Sequence, residues 1–375
     1  MTLKMKRRGF LATPLAALPL AAAPFADTET RVYAIGDGQR FTTTEYAALL
    51  AHLAEKGAIV RDDYSRGGNV EELETRMASL LGKEAAVWLP TGTLSNHLAV
   101  RLLAGDRRRV LVQSESHLYN DCGDCAQTLS NLTLVPLAPG RATFTLEDVE
   151  RAAYDSVSGR VLTPIGAIQI ESPVRRQMGA RFDFAQMEKI AAWARAHKVG
   201  LHLDGARIFL ESAYAHRPVK EYTALFDTVY VSLYKYFNAA AGAVLAGPKA
   251  LLADLYHTRR MFGGGMPHVW PYTAVALHFA NGFEQRFQAG VEISEKVIAE
   301  LSRDSNFGIE RIPAGTNIFR MRVFNVNAPV YQMRLEAAGI TAPNPNGDWF
   351  PMQVNETWTN ATPAEIVKRF RQALG

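Results

Sequence analysis

Asp204 and Lys235 are the charged residues whose placement first suggests chemistry. The apolar run 199–203 delivers Asp204 at its end, and Gly205, Ala206 and Arg207 follow. A second run, 227–233, is followed two residues later by Lys235. Short apolar runs of this length, bounded by turn residues, read as buried strands. Open α/β sheets gather functional groups at the carboxyl ends of their strands. An acid and an amine placed this way suit pyridoxal 5'-phosphate (PLP). The amine forms a Schiff base with the cofactor aldehyde, and the acid keeps the ring nitrogen protonated. Either residue alone reads as an ordinary loop charge. The ordered pair is what points to the cofactor.

Two further places fit the same chemistry. In PTGTLSNHLAVRLLA a turn opens an apolar helix, and Gly92, Thr93, Ser95 and Asn96 fall in its first turn. Free N–H groups with small hydroxyl residues make a phosphate seat, although an ordinary N-cap has the same look. His117, in SESHLYND, stands just past the strand 109–113. Cys122 and Cys125 are the chain's two cysteines and form a CxxC. They could pair in an oxidising compartment. A redox CxxC opens a helix after a strand, so this one reads as a structural or incidental pair. A zinc site would need two more ligands, and no second cluster has metal spacing.

These residues need a frame, and the pattern supplies one. Helices are expected over 45–56 and 70–81, the latter closed by Gly82, with strands at 85–89, 109–113, 132–136, 165–170, 199–203, 227–233 and 242–247. Helices at 145–154 and 184–197 alternate with them, which indicates an α/β fold with a mainly parallel sheet and helices on both faces. After Gly247 the texture changes. A helix over 249–261, a GGG hinge at 263–265 and a low-charge helix over 269–287 running on into 291–303 lead to strands at 317–323 and 353–355 and helices at 330–338 and 363–373. The expected division is a leader (1–26), an N-terminal arm with the cofactor-binding large domain (27–250), and linking helices with a smaller α+β C-terminal domain (251–375).

The chain has 375 residues, 48% hydrophobic and 21% charged, enough for a large core and two domains. Its net charge is +4. Lys4, Lys6, Arg7 and Arg8 lie in the acid-free leader, so the remainder is neutral. That, with no basic aromatic stripe, argues against a nucleic-acid partner. KRRGFLA followed by LATPLAALPLAAA reads as a twin-arginine export signal, cleaved near Ala23 or Ala26. Its apolar run is too short and too proline-broken to span a bilayer, so no stable membrane insertion is expected. The expected location is periplasmic.

Read in order, the motifs resemble the L-threonine aldolase family, within the β-eliminating lyase group of fold-type I PLP enzymes. DDYSRGGNVEELE resembles GDDVYGEDPTVNRLE, KEAAVWLPTGTLSNHLAV resembles KEAALFVPSGTMANQLAL, and SESHLYNDCG resembles ETAHIYVDECG. LHLDGARIF is close to LHMDGARLF, the most specific match. VSLYKYFNAAAGAVLAG is similar to VSLSKGLGAPVGSVLAG, and RRMFGGGM to RKMLGGGM. The resemblance covers roughly 61–287.

The resemblance implies a fold-type I large domain and a role for each site residue. Lys235 would bind the cofactor aldehyde, and Asp204 would pair with the ring nitrogen. Gly92 and Thr93 would hold the phosphate. His117 would stack on the ring and could take the proton of a substrate β-hydroxyl. Arg207 would sit by the cofactor's phenolate oxygen or the substrate carboxylate. The GGG segment would approach a neighbouring subunit's cofactor, implying a homodimer or homotetramer. Asn96 and Glu171 would stand behind these.

The departures cluster around the substrate. Tyr234 replaces a serine before the lysine, and Tyr236, Phe237 and Asn238 replace Gly-Leu-Gly after it. IESPVRRQMG stands for LENTHN, Pro267 replaces an arginine, and GDG replaces SDT. FPMQVNETW lacks the arginine that binds the substrate carboxylate in the family, leaving Arg175, Arg176, Arg320 or Arg322 to supply the charge. The expected activity is cleavage of the Cα–Cβ bond of a β-hydroxy-α-amino acid to glycine and an aldehyde. The rivals are another PLP reaction, such as β-elimination, and a binding protein with a vestigial aldolase fold.

Overall fold

The computed structural model describes residues 30–375. The leader expected at 1–26, with its cleavage point, lies outside the described residues. Twelve strands follow in chain order: β1 (Val32–Tyr33), β2 (Ala85–Leu89), β3 (Arg109–Gln113), β4 (Thr133–Leu137), β5 (Ile165–Glu171), β6 (Gly200–Asp204), β7 (Thr228–Ser232), β8 (Ala243–Gly247), β9 (Phe307–Arg311), β10 (Ile318–Val323), β11 (Ile340–Thr341) and β12 (Phe350–Gln353). Seven make the main sheet, in the order β2-β8-β7-β6-β5-β3-β4. Only β8 runs against its neighbours. Every residue of β5, β7 and β8 is buried, as a sheet covered on both faces requires. That is why their sequences read as continuous apolar runs rather than alternating ones.

The parallel register brings chemistry to one edge. Glu171 pairs with Asp204, and Asp204 with Tyr230, at or near the carboxyl ends of β5, β6 and β7. Strand β2 ends at the same edge and hands over to the helix Gly92–Ala104. A second sheet, β12-β10-β9, is antiparallel and belongs to the smaller C-terminal part. The N-terminal arm, grouped by the sequence with the large domain, pairs instead with the small one. Strand β1 lies parallel to β11, and Ala34 O accepts the Gln353 N–H at 2.9 Å.

The linking helices differ from expectation. The segment expected as one helix over 269–287 is Trp270–Ala280, then a break at Asn281 and Gly282, then Phe283–Leu301 without interruption. Gly282 adopts φ +68°, a left-handed conformation that costs glycine little. The expected 249–261 helix is likewise two short ones, Lys249–Leu252 and Leu255–Met261. The last strand falls at 350–353 rather than 353–355.

Phe283 anchors the aromatic cluster that answers a question left by the sequence. Tyr236 and Phe237 are fully buried, with ring centroids 5.0 Å and 5.2 Å from that of Phe283. The bulk that follows Lys235 therefore fills the core and does not crowd the site. Only Tyr234 turns outward, 46% exposed.

A buried carboxyl sets part of the pH dependence of stability. Glu211, in the helix Ile208–Ala215, is 1% exposed and accepts the Ser172 hydroxyl at 2.5 Å. Burial pushes it up from 4.5 to about 7. The folded chain thus keeps a proton there that the unfolded chain releases, so stability falls as pH rises through that window. Glu211→Gln is expected to remove this loss. The variant's Tm should gain on the wild type between pH 4.5 and about 7. Melting curves whose difference stays constant across those pH values would contradict it.

Candidate active site

Asp204 ends β6 inside a relay of hydrogen bonds. Asn96 Nδ2 donates to Asp204 Oδ2 at 2.6 Å, and the Ala206 N–H donates to Oδ1 at 3.2 Å. Because Asn96 donates through nitrogen, its Oδ1 accepts, and His202 Nε2 lies 2.9 Å from it. The Nε2 of His202 must then carry the proton. Its Nδ1 accepts from Thr228 Oγ1 at 2.8 Å. Burial holds His202 down at about 4, so this tautomer is neutral and fixed. Asn96 thereby aims a carboxylate that is only 2% exposed. His202 gave no signal in the sequence beyond its place two residues before Asp204 in β6.

Lys235 follows β7, half-buried, with Nζ 3.3 Å from the Tyr234 hydroxyl and 4.5 Å from that ring's centroid. Burial, then the Arg207 charge, lowers its pKa from the usual lysine value. A lowered amine pKa raises the share of free base, the form that attacks a carbonyl. Arg207 is held across the fold: its Nε donates to Asp37 Oδ2 at 2.8 Å. Asp37, the centre of the GDG turn, is 8% exposed and also faces Asn317 Nδ2 at 3.5 Å. The sequence marked GDG only as a turn. Its pairing with a residue 170 positions away has no local signature.

His117 opens a short helix, His117–Asn120. Its backbone N–H donates to Glu171 Oε2 at 2.5 Å, and the Arg175 N–H donates to Oε1 at 2.9 Å. Burial, then the Asp204 charge, pushes Glu171 up to about 8 against those two donors. The His117 ring meets Cys122, Nδ1 to Sγ 3.1 Å. Burial lowers the imidazole pKa, so the ring is neutral at neutral pH. Both cysteines are free thiols, and Cys122 is buried. Among the described residues no group of three or more His, Cys, Asp or Glu is placed to hold an ion.

The helix Gly92–Ala104 closes the site. Thr91 Oγ1 accepts the Leu94 N–H and Thr91 O the Ser95 N–H, which leaves the Gly92 and Thr93 N–H groups open. Ser95 Oγ and Ser232 Oγ are buried without a partner at this end of the sheet. The Cys122 thiol reaches Thr93 Oγ1 at 3.8 Å, tying His117 to the helix start.

Of the arginines that might meet a substrate carboxylate, Arg320 and Arg322 lie elsewhere. They occupy the outer face of β10, 4.4 Å and 4.9 Å from the Trp349 ring centroid, with Arg320 paired to Glu310 at 2.9 Å. Arg175 and Arg176 stay near His117, both paired with Asp121, at 3.6 Å and 2.7 Å.

This donor set fits pyridoxal phosphate. There is a half-buried amine for the aldehyde, a buried carboxylate aimed by Asn96 for the ring nitrogen, and open N–H groups beside orphaned hydroxyls for the phosphate. The comparison with known proteins agrees. The β-eliminating lyase family matches residues 44–330, and the chain belongs to that family. The low-specificity L-threonine aldolase of Saccharomyces cerevisiae is 29% identical over 290 residues, 76% of this chain and 73% of the yeast protein. An alanine racemase of Cochliobolus carbonum is 30% identical over 234 residues, 61% of this chain and 58% of its own. Among solved structures, one from Exiguobacterium sp. 255-15, described as an aromatic amino acid β-eliminating lyase/threonine aldolase on assignment alone, superposes with TM-score 0.76 at 22% identity. It covers 93% of this chain and 98% of that one. A serine palmitoyltransferase of Sphingomonas wittichii gives TM-score 0.62 at 16% identity, covering 92% and 86%. The fold is that of the fold-type I PLP enzymes, and the chain is a PLP-dependent lyase.

Proposed function

We propose that this lyase cleaves the Cα–Cβ bond of β-hydroxy-α-amino acids, giving glycine and an aldehyde. The observation that carries the reading is the convergence of Lys235, Asp204, His117 and the Gly92 helix start at one edge of the main sheet, past the carboxyl ends of β7, β6, β3 and β2. Lys235 would hold the cofactor by its aldehyde, Asp204 would pair with the ring nitrogen, and Gly92 and Thr93 would take the phosphate. When bound, pyridoxal phosphate supplies an electron sink at the substrate's Cα.

The chain's own residues do the rest. His117 is neutral and has a ring nitrogen, Nε2, left over from its contact with Cys122. It takes the β-hydroxyl proton, directly or through a water. The Cβ–O bond becomes a carbonyl as the Cα–Cβ pair is released, and a proton returned to Cα completes glycine. Arg207, oriented by Asp37, offers its remaining N–H groups to the substrate carboxylate. The similarity to a threonine aldolase supports this reaction.

The test is to incubate the purified protein with L-threonine and with L-phenylserine and to assay glycine and aldehyde. Equimolar glycine and aldehyde are expected. Pyruvate and ammonia without glycine would move the assignment to β-elimination. Interconversion of alanine enantiomers alone would move it toward the reaction that names the fungal relative.

The mature enzyme is a periplasmic homo-oligomer delivered by the twin-arginine route. Support comes from the KRR leader, and from a GGG segment that resembles one which approaches a neighbour's cofactor. Among the described residues no helix is long and apolar enough to cross a membrane. N-terminal sequencing of the exported protein should begin near Asp27, and retention of Met1 would contradict export with cleavage.

A further inference from the structure

We propose that Cys122 and Cys125 are a redox-modification site: an organic disulfide oxidises the two thiols to a disulfide, and that bond disables His117. The inference rests on His117 as the base of the proposed reaction. Cys122, Gly123, Asp124 and Cys125 form a tight turn. The Cys125 N–H donates to Cys122 O at 3.3 Å, and Gly123 and Asp124 take φ +59° and +52°. A turn of this kind brings its end Cα atoms within about 7 Å, and a disulfide usually spans about 4.4–6.8 Å between Cα atoms.

The two side chains also face one another. A hydrogen bond between the thiols, with burial adding to it, pushes the Cys122 thiol up. The same bond holds the Cys125 thiol below its ordinary value, against burial. Cys125 is half-buried, whereas Cys122 behind it is 7% exposed. Cys125 is therefore the thiol that meets a reagent as thiolate. It gives its proton to solvent and attacks one sulfur of the external disulfide. That S–S bond breaks, and one thiolate leaves with the electron pair and takes up a proton. Cys122 then attacks Cys125 Sγ, and its proton goes to the second departing thiol. Two cysteine thiols are oxidised to one disulfide, and one external disulfide is reduced to two thiols.

The Cys122 sulfur is also the group that His117 Nδ1 meets, at 3.1 Å. A neutral His117 that takes a proton must keep Nε2 bare, so Nδ1 carries the hydrogen and Sγ accepts it. The thiol thus fixes the tautomer that the reaction needs. In the disulfide, Sγ is drawn to Cys125 and the Nδ1 hydrogen loses its acceptor. The His117 backbone stays tied to Glu171, so the effect falls on the ring.

The test treats the holoenzyme with glutathione disulfide, then with dithiothreitol, beside Cys125→Ser. Intact and peptide mass should show two hydrogens lost, with Cys122 joined to Cys125. Turnover of L-phenylserine should fall about tenfold to hundredfold, the scale for a misplaced general base, and dithiothreitol should restore it. The imidazole ¹⁵N shifts of His117, assigned by His117→Gln, should report Nδ1–H in the reduced protein and change on oxidation. Cys125→Ser should keep its turnover under both treatments. Failure to form the intramolecular disulfide would overturn the proposal. So would a disulfide that leaves either turnover or the His117 nitrogens unchanged, or an equal loss of turnover in Cys125→Ser. Should Cys125→Ser not fold, the ¹⁵N shifts and the reversal in wild type decide alone. A wild-type protein that cleaves no β-hydroxy amino acid would sink the proposed reaction by itself. Mass and ¹⁵N shifts would then still uphold or overturn the redox pair and its hold on His117.

Discussion

Replacing Lys235 with alanine is expected to abolish the yellow colour of the purified protein and to lower turnover by about 10³-fold or more. No neighbouring group can take its place. The Tyr234 hydroxyl, 3.3 Å from Nζ, cannot condense with an aldehyde. The other cation close by, Arg207, is committed to Asp37. The fold should survive, because the residues that follow Lys235 are held by the aromatic cluster around Phe283 and not by the lysine. An unchanged melting temperature with a colourless protein is the expected pair of results. A Lys235→Ala protein that stays yellow and active would place the amine elsewhere.

Asp204→Asn should lower kcat by about 10²–10³-fold, the scale for loss of one preorganised charge in a water-poor site. The substitution keeps the shape and removes the negative charge. The ring nitrogen then loses the anion that holds its proton, and the electron sink weakens. Cofactor should still bind through Lys235 and the phosphate seat, so the variant should remain yellow with a shifted absorbance maximum. The combination of retained colour and lost kcat distinguishes this role from a structural one. Asn96→Ala should give a milder version of the same phenotype, because Asn96 only aims the carboxylate. Full activity in Asp204→Asn would show that the carboxylate does not face the ring.

What could be read from the sequence follows from where each signal is stored. Asp204 and Lys235 stand at or just past the ends of largely buried strands, so the apolar runs alone placed them on one edge. The Gly92 turn and His117 were legible for the same reason. The contacts that tune them were not. Asp37 meets Arg207 across 170 residues, and Asn96 meets Asp204 across 108. Such pairs depend on strand order, which local pattern does not encode. Glu171, expected to stand behind the site, holds the His117 backbone, a contact with no local signature. Cys122, half of a CxxC with no assigned role, proves to meet the His117 ring.

Two misreadings have physical causes. The aromatic run after Lys235 was counted among the departures around the substrate because residue size is visible in sequence and direction is not. Tyr236 and Phe237 turn into the core, and only Tyr234 faces outward. The segment from 269 onward looked like one helix to 287 because its composition is uniformly low in charge. A single Asn281-Gly282 pair breaks it where the chain changes direction.

The most direct test of the site is borohydride reduction of the yellow holoenzyme, followed by proteolysis and mass analysis of the peptides. Reduction makes the bond between cofactor and amine permanent. The phosphopyridoxyl mass is expected on one peptide, the one carrying Lys235, and it should be absent from Lys235→Ala. The label on any other lysine, or no label on a protein that is yellow before reduction, would contradict the site described.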